Sequence, residues 1–137
     1  MKIMLDEGAH IPTKAHEDDA GYDLYAKEAQ IIPARESAKF DTGVHMLIPR
    51  GYAGLIVSKS GLNTKYGLTS EGLIDSGYTG IIVVKLYNNS GYDYKVEKGD
   101  KISQIVLIPV VAPLGFEVVD SLGETERGSR GFGSSGK

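Results

Sequence analysis

The sequence predicts an all-β fold, a sandwich or jelly roll with one short helix and a flexible C-terminal arm. Three observations carry that prediction. Glycine and proline punctuate the chain, with 18 Gly and 5 Pro in 137 residues, and leave little uninterrupted length for helices. The segments between them are short, rich in β-branched and aromatic residues, and spaced at roughly 8–12 residues, as in antiparallel sandwiches rather than βαβ units. Helical signal is confined to a single stretch.

The expected strands cover residues 2–5, 22–25, 30–33, 38–42, 44–49, 52–58, 80–87, 92–96, 101–111 and 116–119. Many end in turn chemistry, such as Pro49-Arg50-Gly51, Asn88-Asn89-Ser90-Gly91 and Glu97-Lys98-Gly99-Asp100. The helix is expected over 60–66, with Ser60 as its N-cap and Gly67 as its stop. Its amino end would present free N–H groups and the positive end of a short dipole. The stretch GLIDSGYTG, 72–80, reads as a hairpin whose apolar start, Leu73-Ile74, runs into Asp75 before the turn at Ser76-Gly77. The runs 81–84 and 105–108 are apolar without alternation, as expected of strands covered on both faces. In a domain of this size a neighbouring subunit is a plausible cover, so an oligomer is expected. From Glu124 the apolar pattern fades, which divides the chain into a β domain, 1–123, and an arm, 124–137.

Composition excludes several function classes. The length suits one domain with a real core. A net charge of −3 with both signs interspersed argues against a nucleic-acid-binding face. The chain has no Cys, hence no disulfide framework and no thiolate metal site, and His10, His16 and His45 show no metal-ligand spacing. The start, MKIMLDEGAH, has an early acid and no long apolar run. Neither a signal peptide nor a membrane span is expected, and a cytoplasmic location is.

Certain polar residues break the structural pattern. Asp75, emerging from an apolar strand, is either a turn aspartate bonding its own backbone or a general base. Tyr78 is either a cross-strand packing residue or an aromatic platform. Asp23 in AGYDL is a carboxylate aimed at a cation or an outward strand residue. Gln104, flanked by Ile102 and Ile105, needs partners for its amide, in the core or on a ligand. SKSGL, 58–62, places two hydroxyls, Lys59 and Gly61 at the helix start, a composition that suits an anion or simple capping. The end, RGFGSSGK, formally fits both G-x-x-x-x-G-K and G-x-G-x-x-G. Neither motif has its context, because no helix can follow Lys137. Arg127, Arg130 and Phe132 leave a third reading, an arm that orders on an anion.

Taken in order, AGYDL, SKSGL, GLIDSGYTG, GDKISQIVLIP and RGSRGFGSSG resemble the five motifs of the homotrimeric dUTP nucleotidohydrolases, the dUTPases. The resemblance spans Ala20 to Gly136. It implies a jelly roll of the dUTPase β-clip type and a homotrimer with active sites at subunit interfaces. It implies hydrolysis of dUTP to dUMP and pyrophosphate with Mg²⁺ on the triphosphate. Residue by residue, it implies that Asp75 is the base activating water for attack on the α-phosphorus, and that Tyr78 packs under the deoxyribose and excludes a 2′-hydroxyl. The backbone from Gly72 to Tyr78 would pair with the uracil edge. Asp23 would sit near the metal and its waters. Lys59, Ser60, Gly61 and Gln104 would face phosphate. Arg127, Gly133, Ser134 and Ser135 would close on the β- and γ-phosphates, and Phe132 would stack over uracil. Four positions depart from the family pattern: Ser58-Lys59 stands where Pro-Arg is usual, Thr69 where many members carry Asn, and Arg130 where Gly is common. Two alternatives are a dCTP deaminase of the same fold and a nucleotide-controlled protein-binding module. The deaminases carry a catalytic Glu on the strand that here reads IIVVKLYN, with Lys85 and no acid.

Overall fold

The computed structural model describes residues 1–111 and 115–131. Among these the elements are β1 (Lys2–Leu5), β2 (Tyr22–Tyr25), β3 (Gln30–Ile32), β4 (Ser37–Leu47), β5 (Tyr52–Val57), α1 (Ser60–Tyr66), β6 (Leu68–Ile74), β7 (Ile81–Asn88), β8 (Tyr94–Val96) and β9 (Lys101–Pro109). Seven strands form one sheet in the order β1-β4-β7-β6-β5-β9-β2, and β3 pairs with β8 alone. All pairings are antiparallel.

The sheet turns back on itself at β6. Its first three residues pair with β7, ending at Ser70 opposite Leu86. Its last four pair with β5, beginning at Glu71 opposite Val57. This change of partner carries the sheet from one side of the core to the other, so that Ile82, Val84 and Leu86 of β7 face Leu24, Ile56, Ile102 and Ile105 in one buried cluster. The expected hairpin at 72–80 is therefore the tip of a longer β6–β7 connection. The sequence reading missed the first half of β6, because Ser70 is a polar residue in a buried position.

Other expectations were altered by local chemistry. Residues 37–47 form a single strand rather than two. The pairing shifts register between Asp41 and His45, as at a β-bulge. Gly43 supplies a φ of 63° there, and Asp41 Oδ1 accepts from its N–H at 2.6 Å. α1 spans the expected residues, and the Gly67 N–H closes it from a left-handed φ of 68°. Ser60 is not its cap. Lys59 holds that position without a side-chain bond, so Ser60 is the first helical residue. The strand expected at 116–119 does not form, and Phe116 and Val118 stand almost fully exposed. β7 alternates despite its apolar run: Ile82 and Val84 are buried while Val83 is 45% exposed. No helix among the described residues is long and apolar enough to cross a membrane.

Removing atoms from the closed core leaves a cavity that a strand-paired backbone cannot collapse. Ile82→Ala is expected to lower unfolding free energy by about 3 kcal/mol, measured by urea denaturation.

Candidate active site

Two separate constellations arise from the sheet. The first forms where β2, β9 and the end of β5 meet. Asp23 lies opposite Gln104, and Gln104 lies opposite Val57. The Gln104 side chain packs over Gly21, where a Cβ would come within 2.7 Å of its Oε1. The glycine of AGYDL is thus required by the glutamine of the fourth motif. Gln104 Nε2 donates to Ser58 O at 3.2 Å.

A chain of hydroxyls fixes the same corner. Ser103 Oγ donates to Val57 O at 2.8 Å, so the 2.7 Å contact between Ser70 Oγ and Ser103 Oγ has Ser70 as donor. Ser58 Oγ accepts from Ser70 N–H at 2.8 Å and donates to Ser70 O at 3.1 Å. Three strands are tied together just before Lys59, Ser60 and Gly61 enter α1. Ser60 and Gly61 themselves stand exposed.

Asp23 is buried, with its N–H donating to Thr13 O at 2.7 Å. Lys59 Nζ contacts its Oδ1, and Lys101 Nζ contacts its Oδ2 at 2.8 Å. Burial pushes the carboxyl's pKa up, but the Lys101 and Lys59 ammonium groups outweigh it and hold it below the ordinary 3.8. Lys101 is raised in turn by its bond to Asp23. Each Asp23 oxygen thus meets an ammonium group, and the Asp19 carboxylate acts on Lys101 from further off. Direct metal coordination by Asp23 does not fit this arrangement, because both oxygens already accept from ammonium groups. Among the described residues no three His, Asp or Glu side chains gather as a metal site. The donor set instead fits an ion carried on phosphate oxygens.

The second constellation is the β6–β7 tip. Asp75 is exposed directly after β6, and its carbonyl accepts from Tyr78 N–H at 3.1 Å. The Tyr78 hydroxyl donates to Ile81 O at 2.9 Å, leaving the ring 45% exposed. His45 on β4 steadies the tip: Nδ1 donates to Thr79 O at 2.9 Å, while Nε2 lies 3.3 Å from Asp6 Oδ1. Gly72 pairs with Ile56. Ile74 sits opposite Gly54, whereas Gln104 sits opposite Val57. Three residue steps along β5 separate these two positions, roughly 10 Å of strand.

The dUTPase family model matches residues 7–136. The chain is 42% identical to the deoxyuridine 5′-triphosphate nucleotidohydrolase of Kluyveromyces lactis, over 100% of this chain and 94% of that protein. It is 41% identical to the Saccharomyces cerevisiae enzyme, over 99% and 94%. The chain belongs to the dUTPase family. Its structure superposes on the Staphylococcus bacteriophage 80alpha dUTPase with dUPNHPP at a TM-score of 0.92, with 32% identity and coverage of 99% and 98%. A variant dUTPase from phage phi11 of S. aureus, which coordinates a structural Mg(II) ion, superposes at 0.82, with 30% identity and coverage of 88% and 97%.

This dUTPase chain brings Asp23, Lys59 and Gln104 into one corner and carries Asp75 and Tyr78 on another. Arg127 follows the last strand, and its Nε donates to Arg130 O at 3.1 Å while its O accepts from Arg130 Nε at 3.0 Å. Among the described residues, no hydrogen bond joins 115–131 to the strands. Phe132, Gly133, Ser134 and Ser135 lie outside the described residues. Thr69 Oγ1 accepts from Asn89 Nδ2 at 3.0 Å and lines, with Ser58 and Glu71, a cleft of about 390 Å³. Lys101, Ser70, Ser103 and His45 were missed as site-building residues. Their signal was a polar residue set inside or beside an apolar strand.

The lowered Asp23 pKa fixes the sign of a pH effect. Its stabilisation is fully present above the unfolded value and is lost as pH falls through the lower folded value. Asp23→Asn is expected to lower stability at pH 7 by about 1 kcal/mol, because both lysines keep access to water when the carboxylate is lost. The gap to the natural chain should narrow below about pH 4 in a denaturation series.

Proposed function

We propose that this chain hydrolyses dUTP to dUMP and pyrophosphate, in active sites assembled from different copies of a homotrimer. The observation that carries this reading is the separation just described. A water attacking the α-phosphorus must be within contact of its base while the triphosphate is held, and in one chain those functions lie three strand residues apart along β5. A neighbouring copy brings them together. Support for assembly comes from apolar side chains left in water: Met4, Leu47 and Val83 on the β1–β4–β7 face, and Val111, Phe116, Val118 and Leu122 along the segment after β9.

The chemistry follows from the side chains. Asp75 takes a proton from water as the oxygen forms its bond to the α-phosphorus. The bond from that phosphorus to the bridging oxygen breaks, and pyrophosphate leaves with the electron pair. Lys59 and Lys101 set a positive field at the corner that receives the phosphates, with Ser60, Gly61 and Gln104 as hydrogen-bonding contacts. The glycine at 61 keeps the approach open, with nothing within 4 Å of its absent side chain. Backbone groups from Gly72 to Tyr78 pair with the uracil edge, and the Tyr78 ring supports the deoxyribose. Mg²⁺, carried on the phosphate oxygens near Asp23 and its waters, supplies charge neutralisation when bound.

Residues 124–137 act as the arm. Arg127, Gly133, Ser134 and Ser135 close on the terminal phosphates, and Phe132 caps the base. Ordering the arm costs conformational entropy, which charge-assisted contacts offset. A cytoplasmic location fits a nucleotide hydrolase. β7 carries Lys85 and no acid, which disfavours the deaminase reading.

Asp75→Asn is expected to lower kcat by about 10³-fold or more while dUTP still binds, checked by pyrophosphate release and calorimetric titration. A variant that turns over normally would remove Asp75 as the base. A second expectation tests sharing between copies. Asp75→Asn mixed with Gln104→Ala, each nearly inactive alone, should regain about a quarter of the sites after subunits are unfolded and reassembled together. No recovery from two variants that both assemble would place the whole site within one chain.

A further inference from the structure

We infer that Gly80 is a specificity-determining residue, because its missing side chain gives the Tyr78 ring the space in which it lies against the hairpin. The inference rests on the proposed role of Tyr78 as the platform that excludes a 2′-hydroxyl. A Cβ built on Gly80 would come within 2.4 Å of the Tyr78 hydroxyl oxygen, 2.6 Å of Cζ and 2.9 Å of Cε2. Non-bonded atoms do not approach so closely, so an alanine here must displace something.

The backbone is the harder part to move. His45 Nδ1 donates to Thr79 O at 2.9 Å on one side of Gly80. On the other side Ile81 is held opposite His45 in the β4–β7 pairing. The Tyr78 N–H is already committed to Asp75 O, which closes the turn. The ring, by contrast, is held by its own torsions and by one hydrogen bond, from its hydroxyl to Ile81 O. Gly80 has no positive φ, so alanine fits the backbone itself. The ring is therefore what yields. It swings away from the hairpin, loses its bond to Ile81 O, and no longer occupies the volume that blocks a ribose.

The test compares kcat/KM for dUTP and UTP in four proteins: the natural chain, Gly80→Ala, Tyr78→Ala and the double variant. Gly80→Ala is expected to reduce the dUTP:UTP ratio by about tenfold or more. In the Tyr78→Ala background the same change should alter the ratio no further, since Gly80 acts through the ring. A ratio within about twofold of the natural chain for Gly80→Ala, with Tyr78→Ala reducing it, overturns the inference and leaves the Tyr78 reading standing. No change from Tyr78→Ala removes that reading and the inference with it. Independent, multiplying effects also overturn the inference. Should Gly80→Ala fail to fold, recovery of folding in the double variant supports the ring contact, and failure there too overturns it.

Discussion

The architecture depends on one exchange of hydrogen-bonding partner, between Ser70 and Glu71. A strand that stayed with β7 throughout would extend a flat sheet and leave both faces wet. By passing to β5, β6 folds the sheet over its own apolar face and buries a core from both sides. The exchange interrupts one ladder, and buried backbone groups there need other partners. The Ser70 N–H and C=O both find the Ser58 hydroxyl, and its side chain finds Ser103. Among the described residues no buried side-chain polar atom lacks a partner. The same serines that close the ladder set the course of the chain into Lys59, so the solution to a folding problem also shapes a functional corner.

That corner shows how a small domain keeps a buried carboxylate charged. Burial alone would favour the neutral acid, and a single exposed lysine adds little. Two ammonium groups, one on each oxygen, settle the balance in favour of the ion. The pairing also explains how Lys59 replaces the arginine usual in the family. A lysine cannot form a planar fork, but it can place a point charge on one oxygen while Lys101 takes the other.

Much of this was legible in the sequence where local chemistry decides local structure. β2 opens directly after Gly21, and Gly67 announces the left-handed end of α1. The five motifs name candidate residues, of which the folded chain puts Asp23, Lys59 and Gln104 in one group and Asp75 and Tyr78 in another. What was hidden is non-local. Ser70 looks like a loop residue until Ser58 and Ser103 are seen beside it. Thr42-Gly43 looks like a break, yet the Thr42 hydroxyl donates to Ile82 O at 2.6 Å and keeps the strand whole across its bulge. Lys101 reads as a surface lysine because its partner lies far back in the chain. Residues 116–119 have strand composition but pair with no strand of this chain. The division of Asp75 from the phosphate corner is a matter of register, which no single motif contains.

The uncovered stretch after β9 bears on how this protein is made. Val111, Phe116, Val118 and Leu122 are each more than nine-tenths exposed in the lone chain. Such a greasy strip meets other newly synthesised chains as readily as its proper neighbours. Freshly made protein therefore carries a surface on which indiscriminate clumping starts, whatever the intrinsic firmness of the folded domain.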